Sequence, residues 1–203
     1  MSFMLRLLVL LGLLSGSIVG SLGCTSNDGP DPATAPRSNV PALSGADSLD
    51  ISAEGEASRP VPDITVTTLS GASIPLSEQR GRVLLLNFWA TWCAPCREEI
   101  PDLIDLHQEM KADGVMVIGV ALDQEGESVV APFVEQQSIP YPIVIDAGRQ
   151  VESHFGPIYA LPTTVVVGPD GMIRRRITGL FPVDAMRSRL EEMVATGAAN
   201  AAS

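Results

Sequence analysis
A nearly unbroken apolar run, Val83-Leu84-Leu85-Leu86-Asn87-Phe88-Trp89, leads within a few residues into Cys93-Ala94-Pro95-Cys96. Such a run predicts a central strand (Arg82–Ala90) buried on both faces. From Ala94 the period changes. Ile100, Leu103, Ile104, Leu106 and Met110 fall on one side of a helix predicted over Ala94–Asp113, which Gly114 ends. The two thiols therefore stand where a buried strand hands over to a helix. Cys93 meets the unpaired N–H groups and partial positive charge of the helix N-terminus. These favour a thiolate and bring its pKa down from about 8.5. Cys96 is one turn on, close enough to close a disulfide, so a nucleophile and a resolving thiol share one loop. A zinc half-site would need Cys24, His107 or His154 as further ligands, and neither a second CxxC nor a His-x-His pair is present. A purely structural disulfide over so short a loop would constrain little of the unfolded chain.

The surrounding pattern alternates strand and helix. Asp63–Leu69 predicts an edge strand, and Ile74–Leu76 a short return. Val115–Ala121 is a second buried strand. Glu127–Gln137 is an amphipathic helix with Val130, Phe133 and Val134 inward. A strand at Tyr141–Ile145 and a short helix at Gln150–Phe155 follow. Thr163–Val167 and Met172–Ile177 flank Gly168-Pro169-Asp170-Gly171, a strong signal for an antiparallel hairpin. Ala185–Val194 predicts the last helix. The order describes an α/β layered domain over residues 63–197 with a flexible tail at 198–203. His107 and His154 read as surface or loop residues, and Arg174-Arg175-Arg176 as a solvated strand edge.

The first 62 residues have a different character. Met1–Arg6 carries one positive charge, and Leu7–Gly23 is uncharged. As a helix that run would reach only ~25 Å, so an export signal fits better than a membrane span. Ser21-Leu22-Gly23-Cys24 resembles a bacterial lipoprotein processing site, which implies lipidation at Cys24. An uncleaved anchor and ordinary cleaved secretion are the alternatives, and all three export the domain. Thr25–Pro62, rich in Ser, Pro, Ala, Gly and Asp, cannot bury enough apolar surface to offset its ordering entropy and reads as an acidic, disordered tether. The net charge is −11. No region is basic enough to hold a phosphate backbone, which excludes nucleic acid as a partner. Three cysteines are too few for a disulfide-stapled mini-protein.

The stretch Asn87-Phe88-Trp89-Ala90-Thr91-Trp92-Cys93-Ala94-Pro95-Cys96-Arg97-Glu98-Glu99-Ile100-Pro101 resembles the thioredoxin superfamily. More narrowly, it is similar to the exported, membrane-tethered thiol–disulfide reductases of cytochrome c maturation. The resemblance spans about Pro62 to Val194. It implies a thioredoxin-like layered sheet with helices on both faces and an extra strand–helix insertion within Ile118–Pro157. It implies a helix kink at Pro101 and a cis bond before Pro162 in Leu161-Pro162-Thr163-Thr164, a bond that costs little over trans at proline. An ordinary strand-entry proline is the plain alternative. Trp92, Ala94, Pro95, Leu161 and Pro162 would then form the substrate-binding surface, with Cys93 and Cys96 the redox-active pair.

Two departures follow. Cytosolic thioredoxins carry a buried Asp where this chain has Asn87, which cannot accept a proton during resolution. The tethered branch compensates with a Glu that matches Glu99, whereas Glu98 would point about 100° away. Glu99 read only as a favourable acid in the first helical turn is the alternative. The second departure is the dipeptide Ala94-Pro95, whose proline is associated with reducing members. The implied chemistry needs no cofactor. The implied partners are disulfide-bonded exported proteins such as apocytochrome c, and a transmembrane thiol–disulfide electron donor. The implied place is the outer (periplasmic) side of a bacterial membrane. A thiol peroxidase is the competing enzyme class, but it needs Thr or Ser three residues before its cysteine, where this chain has Ala90. An intact CxxC argues against a non-catalytic binding module.

Overall fold
In the computed structural model, residues 59–201 are described; Cys24, the expected export segment and residues 25–58 of the expected tether lie outside them. The buried run forms β3 (Val83–Trp89), every residue of which is buried. It is the middle of a five-stranded sheet. β4 (Val115–Ala121) lies parallel on one side, with β5 (Ile143–Ile145) parallel beyond it at the edge. On the other side β6 (Thr163–Val167) runs antiparallel to β3, followed by β7 (Ile173–Thr178). The order β5-β4-β3-β6-β7 gives β3 a strand neighbour on each edge, and its lack of alternation requires cover on both faces as well.

Alternate residues of β3 feed two cores. Val83, Leu85 and Trp89 face α1 (Ala94–Met110), α2 (Glu127–Gln137) and α4 (Val183–Ala201), packing with Ile100, Leu103 and Leu106 of α1, Val130 of α2 and Met186 and Leu190 of α4. Leu84, Leu86 and Phe88 face the other way. They meet Phe155 at the end of α3 (Gln150–Phe155) and the hairpin of β1 (Thr65–Thr67) and β2 (Ser73–Pro75) through Val66 and Ile74. Helices therefore cover both faces, and the stretch Ile118–Pro157, where an extra strand–helix insertion is expected, holds the end of β4, then α2, β5 and α3. Gly119 in β4 is a close-approach position: a Cβ there would meet Ile143 Cδ1 at 2.7 Å and Trp89 Nε1 at 2.9 Å.

Several boundaries move. The ordered domain starts by residue 59 rather than 63. Val61 is buried in the second core, Pro60 bridges Met172, and Arg59 donates to Phe155 O at 2.7 Å. One apolar residue between two prolines has no period, so composition assigned this docking segment to the tether. At the other end α4 runs from Val183 to Ala201, so residues 198–201 are helix rather than tail. The predicted edge strand Asp63–Leu69 shrinks to β1, which pairs with β2 outside the main sheet and touches it by a Thr68–Val144 bridge. Among the three arginines, Arg174 pairs with Asp170, while Arg176 donates to the carbonyls of Phe155 and Pro157. They tie down turns as well as marking the sheet edge. His107 is half-buried, its ring edge-on to Tyr141 with centroids 5.8 Å apart, rather than a surface residue. Burial, with Lys111 nearby, lowers its pKa.

Candidate active site
Cys93 is the N-cap residue of α1 in extended conformation, and its Sγ accepts the N–H of Cys96 at 3.3 Å. Pro95 occupies the first turn, where a missing N–H costs nothing. The two sulfurs are bonded to each other, with the Cα atoms 5.3 Å apart. Their surroundings differ: Cys96 is fully enclosed, whereas Cys93 keeps 5% of its surface open. Cys93 opens into a groove of about 440 Å³ lined by Trp92, Ala94, Pro95, Tyr159 and Leu161, among others. The Leu161–Pro162 bond is cis, and β6 begins immediately after it.

Glu99 faces inward one turn beyond Cys96. It is 3% exposed, while Glu98 beside it is exposed. Asn87 Nδ2 donates to Glu99 Oε1 at 2.6 Å, and the Phe181 N–H donates to Oε2 at 2.9 Å. Burial pushes the Glu99 carboxyl above the ordinary carboxylate range. The donors from Phe181 and Asn87 oppose that rise, and the charge of Asp102 adds to it. Burial likewise pushes the Tyr141 phenol up, with the Glu99 charge adding. The structure thus brings together Cys93, Cys96, Trp92, Ala94, Pro95 and Leu161 around the dithiol, and places Glu99 on the buried side of the same helical turn.

Sequence comparison agrees with this geometry. The AhpC/TSA family profile matches residues 57–176. A thiol-disulfide oxidoreductase ResA from Bacillus thuringiensis subsp. konkukian is 34% identical over 137 residues, covering 68% of this chain and 76% of that protein. A ResA from Geobacillus kaustophilus is 35% identical over 132 residues, covering 65% and 75%. Among solved structures, a secreted thiol-disulfide isomerase from Corynebacterium glutamicum superposes with a TM-score of 0.62 at 26% identity, covering 71% of this chain and 95% of that one. The chain belongs to the ResA family of thiol-disulfide oxidoreductases.

Within this ResA-family domain, three features of the site carry little or no sequence signal of their own. Asp123, fully buried just past β4, accepts the Thr91 N–H at 3.1 Å and the Thr91 hydroxyl at 2.5 Å. It thereby fastens the loop that delivers Trp92 and Cys93. The only hint is an acid directly after an apolar run. Phe181 contributes a backbone N–H, which no side-chain pattern reports. Arg149 and Tyr159 line the groove from the far side, more than fifty residues away in sequence. The Thr91 hydroxyl is committed to Asp123, and Ala90 is buried without a hydroxyl. The peroxidase pattern therefore has no counterpart beside Cys93.

Proposed function
We propose that this thiol–disulfide oxidoreductase works as a reductant of disulfides in exported proteins, an apocytochrome c disulfide among them. Its N-terminal segment would hold it on the outer side of a bacterial membrane, and a transmembrane thiol–disulfide donor would recharge it. The observation that carries the reading is the asymmetry of the dithiol: Cys93 at the floor of an open groove, and Cys96 enclosed beside a buried acid. In the reduced enzyme the Cys93 thiolate attacks a substrate disulfide, forming a mixed disulfide and releasing one substrate thiolate. Cys96, its proton passing to Glu99, then attacks Cys93 Sγ. The second substrate sulfur leaves as a thiolate and takes up a proton. Two electrons have moved to the substrate, and the enzyme is left as the Cys93–Cys96 disulfide seen here. Relatives named as thiol-disulfide oxidoreductases and a secreted structural neighbour support this assignment. The proposed anchor is the apolar segment ending at Cys24, on the sequence pattern alone; among the described residues no helix is long and apolar enough to cross a membrane.

Equilibration with glutathione buffers tests the direction of electron flow. A reductant should lie near thioredoxin, about −270 mV; a value near −120 mV marks an oxidant instead. Cys24→Ala should release the protein from membranes or block its processing. A variant that stays membrane-bound at the same size as an unprocessed wild type would assign the anchor to an uncleaved helix.

A further inference from the structure
Asn87 and Thr164 are direct cross-strand partners on β3 and β6, so their side chains project to the same side of the sheet. Both are buried. Asn87 Nδ2 carries two N–H groups, and both are committed: one to Glu99 Oε1 at 2.6 Å, the other to Thr164 Oγ1 at 3.0 Å. The chain from the strand after cis-Pro162 to the acid beside Cys96 is therefore continuous, Thr164 to Asn87 to Glu99.

A buried carboxyl that takes up and gives back a proton needs partners for both of its states. Ionised, it only accepts; protonated, it also has an O–H to place. The Phe181 N–H can only donate, and serves Oε2 in either state. The Asn87 amide is a donor at one end and an acceptor at the other. Turned nitrogen-first it supports the carboxylate; turned oxygen-first it accepts from the acid. The nitrogen-first orientation is tolerable in a buried site only if the second N–H also has an acceptor, because an orphaned buried donor is expensive. Thr164 Oγ1 is that acceptor.

We propose that Thr164 is a positioning residue for the resolving step, holding the Asn87 amide nitrogen-first so that Glu99 can exist as a carboxylate beside Cys96. This rests on the reading of Glu99 as the base in resolution. The other groups that act on Glu99 are the charge of Asp102 on its own helix, Tyr141 ahead of β5, and the Phe181 N–H ahead of α4; Cys96 is buried one turn before it on α1. Thr164 is hydrogen-bonded to Asn87 and Asn87 to Glu99, so removal of the Thr164 hydroxyl acts on the carboxyl through the amide.

The test is a pH titration of the Glu99 carboxyl by ¹³C NMR in the full-length oxidised protein, where no thiol titrates at the site, with Glu99→Gln assigning the signal. Thr164→Val, of nearly equal shape, should raise the Glu99 midpoint by about half to one pH unit. That is a three- to tenfold change in protonation constant, the scale of one hydrogen bond. Thr164→Ser, which keeps the oxygen, should titrate like wild type. A thermal melt checks folding, and Thr164→Ala replaces the valine variant if that one fails to fold. A midpoint unchanged in the hydroxyl-less variant, or displaced as far in the serine variant, overturns the proposal. The role of Glu99 in resolution fails separately, if Glu99→Gln resolves mixed disulfides at the wild-type rate.

Discussion
The two sides of the first turn of α1 are built on opposite principles. On the Cys93 side the rim is open: Trp92 is 64% exposed and Tyr159 91%, and large apolar surface faces solvent along the groove. On the Cys96 side the buried carboxyl of Glu99 is paired inside the protein, held by Asn87 and by the Phe181 N–H. Exposed aromatic surface is the place to bind a varied partner chain, because it gains by being covered and demands little geometry. A buried carboxyl held by two donors is the place for one fixed proton transfer. In the proposed mechanism attack and resolution are thus separated across a single helical turn.

The largest test of this division is at the sulfurs. Cys93→Ser should reduce insulin-disulfide reduction to background, whereas Cys96→Ala should still attack and accumulate mixed disulfides visible on non-reducing gels. Turnover retained by Cys93→Ser would remove the distinction between the two sides. Next comes the buried acid. Glu99→Gln should slow the resolving step about tenfold or more near neutral pH, the low end of general-base effects, while Glu98→Gln resolves normally in stopped-flow. The loop that carries Cys93 should matter to stability. Asp123→Ala strands the Thr91 N–H and hydroxyl and should cost about 1–3 kcal/mol in urea unfolding.

A pH series sharpens the contrast further. Because burial raises the Glu99 pKa above its ordinary 4.5, the native state holds a proton that the unfolded chain has lost. The contribution of Glu99 to stability is therefore whole below pH 4.5 and is lost as pH rises through the raised value. Glu99→Gln should accordingly gain on wild type between acid and neutral pH, and a constant difference would contradict the burial argument. The smallest effect belongs to the rim: Trp92→Ala should raise KM for a protein disulfide a few-fold and leave the melting temperature unchanged.

Much of this site was legible before any coordinates. The strand–helix junction at Trp89–Ala94, the thiol pair, the proline at 162 and the inward direction of Glu99 are local. Periodicity and a short motif announce the junction and the thiol pair; the proline at 162 and Glu99 are named through the resemblance to the tethered reductases, the helical repeat adding only that Glu98 points about 100° away. The boundaries at Arg59 and Ala201 were misread for the converse reason. A docking segment with one buried valine has no period, and an alanine-rich helix end lacks the apolar stripe that would extend the prediction.

What the tertiary structure alone decided lies in pairings between distant residues: Thr91 with Asp123, Asn87 with Thr164, Glu99 with Phe181. Polar residues carry no periodic mark of which partner they will meet. Asn87 in an apolar strand reads as a missing acid until the register of β3 against β6 sets it beside Thr164. Once the sheet has closed, burial forbids any of these groups to remain unpaired, and that demand fixes a network the linear order does not contain.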